Sequence, residues 1–141
     1  MGQVIDAVDL QILQFLIEDS TRSHKELGQL VHLTGQAVGA RIRKLEDSGV
    51  IEGYTVRWNP EKIGQTIHAF ITVFLLTHTA HQALQLLVKA HDQVVEMHRV
   101  SGEGCYWMRV RVGSIMELNT FLDQLLQYAN YKVSLSIGQH K

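Results

Sequence analysis

The sequence predicts an α+β chain of two units: a winged helix-turn-helix over residues 1–57 and a ferredoxin-like βαββαβ unit over 65–141. Three observations predict it. Apolar residues recur at helical spacing through the first fifty residues, then at a period of two beyond them. The only proline, in Trp58-Asn59-Pro60, stands where the period changes and holds its predecessor extended, marking 58–64 as the linker. After it, alternating and helical segments follow in the order β-α-β-β-α-β.

In the N-terminal unit, Asp6 or Asp9 starts a first helix with Leu10, Leu13, Leu16 and Ile17 as its apolar stripe. Ser23 followed by Glu26 has the spacing of a capping box and opens a second helix that buries Leu27, Leu30 and Val31. A four-residue turn then leads to Thr34, a good N-cap, and to a third helix with Val38, Ile42 and Leu45 on a narrow inner face. Gly49 closes that helix. Val50–Val56 is β-prone and split by Gly53, as a wing or small hairpin would be.

In the C-terminal unit, Ile67, Ala69, Ile71, Val73 and Leu75 line one face of a strand whose other face, with Phe70, Phe74 and Leu76, is also largely apolar. A helix over Ala80–His91 follows, then strands over Val94–Val100 and Tyr106–Val112. Ser114 caps a helix carrying Ile115, Leu118, Leu122 and Leu125, and Val133, Leu135 and Ile137 alternate in a last strand. Two helices cover only one face of four strands, so Phe70, Phe74 and Trp107 on the other face call for a partner, read here as a second copy of the chain.

Composition narrows the function. The net charge is −1, and residues 1–60 carry six basic groups (Arg22, Lys25, Arg41, Arg43, Lys44, Arg57) against eight acidic ones. A basic coat for non-specific nucleic-acid binding is thereby excluded, but Arg41, Arg43 and Lys44 make a local basic patch. The single cysteine, Cys105, forms no internal disulfide, and the apolar run around residues 69–76 is too short to cross a membrane. No secretory pattern is visible, and Met1-Gly2 lacks the Ser or Thr that myristoylation requires, since Asp6 stands there. A cytoplasmic location is expected.

The segment Ser23–Gly49 carries the chemistry. On a helical wheel Gln36, Ala40, Arg43, Lys44 and Asp47 lie opposite the inner face, with Arg41 on the flank. Amide and basic side chains on the outer face of such a helix suit a major groove. Gln36, near the helix start, is the natural base reader, and Thr34 with the helix N-terminus can hold a phosphate. Arg41, Arg43 and Lys44 are the phosphate candidates, although the flank position of Arg41 also allows an ion pair with the first helix. A three-helix bundle made polar only for solubility has the same pattern.

Six stretches resemble the Lrp/AsnC family of bacterial and archaeal regulators: residues 5–13; Glu26-Leu27-Gly28; Leu33-Thr34 through Arg41-Ile42-Arg43-Lys44-Leu45-Glu46; Gly49-Val50-Ile51-Glu52-Gly53-Tyr54; Asn59-Pro60-Glu61-Lys62-Ile63-Gly64; and Val100-Ser101-Gly102-Glu103 with Tyr106. The resemblance implies a DNA-binding transcription regulator acting on double-stranded DNA as a dimer, often an octamer or other multimer of dimers. It also implies a small-molecule site near the turn after the second strand, here Gly102, Glu103, Gly104, Cys105 and Tyr106, with Ser134 and Ser136 from the last strand. The chain departs from the family at Thr34-Gly35, at Gly39 and Ala40, and at Cys105, which stands where many members carry an aspartate. Gly39 costs its helix about 1 kcal/mol relative to alanine. Without that aspartate an amino acid's ammonium lacks its acceptor, and weak amino-acid binding is expected.

No cofactor, metal site or enzymatic activity is expected. His78-x-x-His81 with His91 and His98 lacks an accompanying carboxylate or cysteine cluster. Cys105 has no basic neighbour in sequence, and Gly102-x-Gly104 does not open a helix. The reading is a sequence-specific transcription regulator. The alternative is a metabolite-binding or assembly scaffold with a weakened DNA-binding unit.

Overall fold

Asp6 and Asp9 both act at the first helix start. In the computed structural model, which describes residues 3–141, α1 spans Ala7–Glu18 and Asp6 is its N-cap. The Asp6 carboxylate accepts from the Asp9 N–H, and the Asp9 carboxylate accepts from the Asp6 N–H, both at 2.9 Å. Met1-Gly2 lies outside the described residues.

The same logic sets the next two helices. Ser23 and Glu26 form the reciprocal capping box of α2, His24–Val31, and the Thr34 hydroxyl accepts from the Ala37 N–H at 3.1 Å to open α3, Gly35–Asp47. The turn between them is three residues, His32–Thr34, not four, because His32 takes a left-handed conformation (φ 59°) and reverses the chain at once. Gly49, at φ 78°, follows α3 in the conformation a C-terminal glycine supplies.

The core of this unit is Ile12, Leu16, Leu27, Val38 and Ile42, and Leu45 is also fully buried. Each such side chain contributes about 1.5–3 kcal/mol on burial. Three expected core positions are corrected. On α1 the buried face runs through Ile12 and Leu16, while Leu10 and Ile17 are exposed; on α2 the buried neighbour of Leu27 is Gly28, and Leu30 is exposed. The α1 stripe is rotated because Asp9 itself is buried and sets the inward direction. The expected wing or small hairpin at Val50–Val56 does not form as β-structure: residues 50–59 contain no strand. Tyr54 and Val56 stand exposed there.

The chain divides into compact units at Arg57 and Trp58. The second opens with a short 3-10 turn, Pro60–Ile63, with Asn59 as its cap. Its sheet comprises β1 (Ile67–Leu75), β2 (Val94–Arg99), β3 (Tyr106–Val112) and β4 (Ala129–Leu135), ordered β2-β3-β1-β4 with every neighbour antiparallel. The helices α4 (Ala80–Lys89) and α5 (Ile115–Leu125) share one core with the inward side chains of β1 and β3. The last strand starts at Ala129 rather than Val133 and stops before Ile137, which is fully exposed.

On the opposite sheet face Phe70 stacks on Trp107 with ring centroids 5.8 Å apart, and Lys132 stands 5.6 Å from the Phe74 ring centre. Glu96 accepts from Arg109 at 2.7 Å. No helix of the described residues is long and apolar enough to cross a membrane.

The turn between α2 and α3 requires glycine at 28. A Cβ there would stand 2.3 Å from the Leu33 carbonyl oxygen, which is fixed in the turn backbone. Gly28→Ala is expected to destabilise the N-terminal unit by about 2–3 kcal/mol, read as a lower urea midpoint by circular dichroism.

Candidate nucleic-acid interface

The four sides of α3 meet different surroundings. Its inner side buries Val38, Ile42 and Leu45. Its outer side carries Gln36, Ala40 and Arg43, all exposed. Residues 36, 40 and 43 fall within a narrow arc of the wheel at 100° per residue, opposite the buried arc. Thr34 is exposed at the helix start, its hydroxyl held by the cap bond.

The two flanks of α3 are engaged differently. One flank presents Gly35 and Gly39 to the first turn of α2: a Cβ on Gly35 would lie 3.5 Å from backbone atoms of His24 and Lys25. The other flank presents Arg41 and Lys44 to α1. Arg41 Nη1 donates to the Asp6 carboxylate at 2.7 and 2.8 Å and to Asp9 Oδ1 at 3.0 Å. The Lys44 ammonium pairs with the other Asp9 oxygen and donates to the Val4 carbonyl at 3.3 Å.

Asp9 is fully buried, so this cluster is internal on one side. Burial opposes ionisation of Asp9, but the Lys44 ammonium, the Asp6 N–H and the Arg41 guanidinium outweigh it and hold the carboxyl below its usual range. Asp6, hydrogen-bonded first by Arg41 and then by the Asp9 N–H, is lowered to about 2. The expectation that Arg41, Arg43 and Lys44 act together on phosphates is therefore revised. Arg41 and Lys44 have carboxylate partners within the fold, whereas no ion pair among the described residues engages Arg43. Sequence reading foresaw a partner for Arg41 but missed that of Lys44. The signal was present, because Lys44 is three residues from Arg41 and so reaches the same acidic helix start.

The expected effector residues of the C-terminal unit are only partly brought together. Gly102 and Gly104 have φ values of 104° and 78°, and a Cβ on Gly104 would stand 2.7 Å from Thr72 Cγ2 and 2.9 Å from the Val73 carbonyl oxygen. The Cys105 N–H already donates to that carbonyl at 2.7 Å, so it is not free for a carboxylate. Glu103 pairs with the Lys132 ammonium. Tyr106 faces the core: its hydroxyl hydrogen-bonds with His81 Nδ1 at 2.9 Å and accepts from Gln85 at 3.2 Å. Ser134 sits opposite Phe70 on β4, and Ser136, just past the end of β4, donates its N–H to the His68 carbonyl. Lys132, opposite Thr72, is the β4 residue that reaches Glu103, and sequence reading missed it because the strand was placed too late.

The four histidines considered as ligands are dispersed. His91 packs on Phe121, His98 lies beside Glu96 and Trp107, and among the described residues no three metal-ligating side chains come together.

Comparison with known proteins places both units. Residues 5–46 match the family model described as an AsnC-type helix-turn-helix domain, and residues 68–141 match that described as an Lrp/AsnC ligand binding domain. The chain belongs to the Lrp/AsnC family. It is 41% identical to the HTH-type transcriptional regulator LrpB of Bacillus subtilis over 97% of this chain and 91% of that protein. It is 38% identical to LrpA of the same organism, over 96% and 100%. The fold superposes on the structure of B. subtilis LrpC with a TM-score of 0.92 at 22% identity, covering 99% of each chain. It superposes equally, TM-score 0.92 at 24% identity over 98% and 93%, on a Neisseria meningitidis transcriptional regulator NMB0573 in complex with L-Met. This Lrp/AsnC member is a DNA-binding transcriptional regulator.

The acidic cluster has a measurable cost of removal. Asp9→Asn leaves Arg41 and Lys44 without their buried acceptor and is expected to destabilise the N-terminal unit by about 3 kcal/mol at pH 7 in urea denaturation. Because the folded pKa of Asp6 lies below its unfolded value, its contribution is complete above about pH 4 and is lost as pH falls through about 2. Asp9 is likewise held below its usual range, so the destabilisation by Asp9→Asn should be full at neutral pH and shrink as acid protonates the carboxylate in the wild-type protein.

Proposed function

We propose that a dimer of this chain binds double-stranded DNA by laying one α3 from each copy in successive major grooves. The supporting observation is the partition of α3, with Val38, Ile42 and Leu45 buried and Gln36, Ala40 and Arg43 exposed on the opposite side. Gln36 reads a base edge, its amide suiting adenine N6 and N7, and Ala40 is small enough to meet a thymine methyl. Arg43 takes a phosphate, and the helix start at Thr34 faces another. Arg41 and Lys44 hold α3 against α1, contributing to DNA binding through its orientation.

Few direct base contacts follow from so small an outer face, so sequence-dependent DNA shape carries much of the specificity. Arg43→Ala is expected to weaken binding to all sequences alike and to flatten the log–log salt slope by about 0.9, whereas Gln36→Ala relaxes preference at one base position by about 1–3 kcal/mol. Fluorescence anisotropy over a salt series separates the two. Absence of saturable binding at low salt would favour the scaffold reading.

The copies pair through the open sheet face. Phe70, Phe74 and Trp107 are only half-buried there, and a second sheet of the same kind covers them. Dimers assemble further into octamers or other multimers in the cytoplasm. Sedimentation of the full chain at micromolar concentration should give a dimer or larger species, and Trp107→Asp should give a folded monomer.

Regulation acts through assembly or through a ligand other than a free amino acid. The Cys105 N–H is engaged, Glu103 is paired with Lys132, and the position of the family's aspartate holds Cys105. Calorimetry against the twenty amino acids is expected to detect no micromolar binding. Such binding, abolished by Gly104→Val, would contradict this.

A further inference from the structure

The flank of α3 that meets α2 carries a feature that helix propensity alone does not explain. Gly39 lies in mid-helix, where glycine costs about 1 kcal/mol. A Cβ built on it would stand 3.0 Å from Nδ1 and 3.2 Å from Cε1 of His24, the first residue of α2. The imidazole therefore lies over the helix surface that a side chain at 39 would occupy. Gly35, one turn earlier, lies against the His24 backbone on that same flank.

The ring is not enclosed by this contact. His24 is exposed, and no hydrogen bond among the described residues involves its side chain. On the wheel, position 39 adjoins Arg43, which adjoins Gln36, so an imidazole over Gly39 continues the exposed face formed by Gln36, Ala40 and Arg43. In helix-turn-helix proteins the first helix of the motif crosses the DNA backbone while the second enters the groove. A polar ring at the start of that first helix, resting on the second, is placed at the junction of groove and phosphate.

We infer that His24 is a DNA-contacting residue of this regulator, donating from its imidazole to a backbone phosphate, and that Gly39 is the seat that holds the ring there. The inference rests on the proposed use of the outer face of α3. It assigns to a side chain outside α3 a contact that position 39 itself does not make. It also gives the glycine a function: alanine at 39 would push the ring outward or aside.

The test uses the full chain and a 30-bp duplex selected with the wild-type protein from a randomised pool, read by fluorescence anisotropy, with melting temperatures in parallel. His24→Ala should weaken binding roughly three- to tenfold, equally on selected and scrambled duplexes, with the melting temperature unchanged. Gly39→Ala should weaken binding similarly without lowering the melting temperature, and the double variant should bind no worse than His24→Ala alone. Unchanged affinity of His24→Ala, with wild-type protein binding saturably, overturns the assignment of His24 while leaving the α3 reading intact. An extra loss in the double variant overturns the role of Gly39 as a seat. Absence of any saturable binding by the wild-type chain overturns both the inference and the reading beneath it.

Discussion

A buried carboxylate organises the N-terminal unit. Asp9 has no solvent exposure, and a carboxylate in that position persists as an ion only with partners in place. It recruits Arg41 and Lys44 from α3 and, with Asp6, closes a reciprocal cap at the start of α1. The interaction ties the two helices at a defined angular position, because Arg41 and Lys44 lie three residues apart on one flank of α3. With that flank fixed by charge and the opposite flank fixed by glycine contact against α2, the remaining outer arc has only one orientation available.

This constraint explains the charge composition of the unit. An excess of acidic groups looks unfavourable for a DNA-binding domain. Yet two of those acids are structural, drawn in against two of the unit's cations, and the exposed arc of α3 keeps Arg43. Net charge describes long-range steering; the local pairing decides which cations remain available. A weakly charged outer arc fits the proposal that two copies contact DNA together.

Much of the architecture was legible. Ser23-x-x-Glu26, Thr34 and Ser114 each announce a helix start through a side-chain oxygen at the right spacing, and each caps as expected. The third strand is bounded correctly because its alternation is strict from Tyr106 to Val112. The failures have physical causes. The last strand begins in Ala129-Asn130, residues with little strand propensity, and forms because β1 offers them an edge. The wing segment has strand propensity, yet residues 50–59 form no strand. The apolar stripe of α1 misleads because a polar residue, Asp9, is fully buried on the same face as Ile12 and Leu16. At the sites, side-chain type and spacing located the outer arc of α3, and the spacing of Lys44 from Arg41 carried the signal for its partner, but the Glu103–Lys132 pair depended on tertiary register that spacing does not encode.

The central claim is that the cations of α3 are divided, with Arg41 and Lys44 belonging to the fold and Arg43 to DNA. NMR of the arginine and lysine side-chain nitrogens, recorded for the full chain with and without a saturating duplex, observes that division directly. The account predicts that the Lys44 ammonium and Arg41 guanidinium signals stay at their free positions while the Arg43 signal shifts on binding. A shift of Lys44 and Arg41 to DNA-bound positions, with Asp9 released from its pairing, would contradict it.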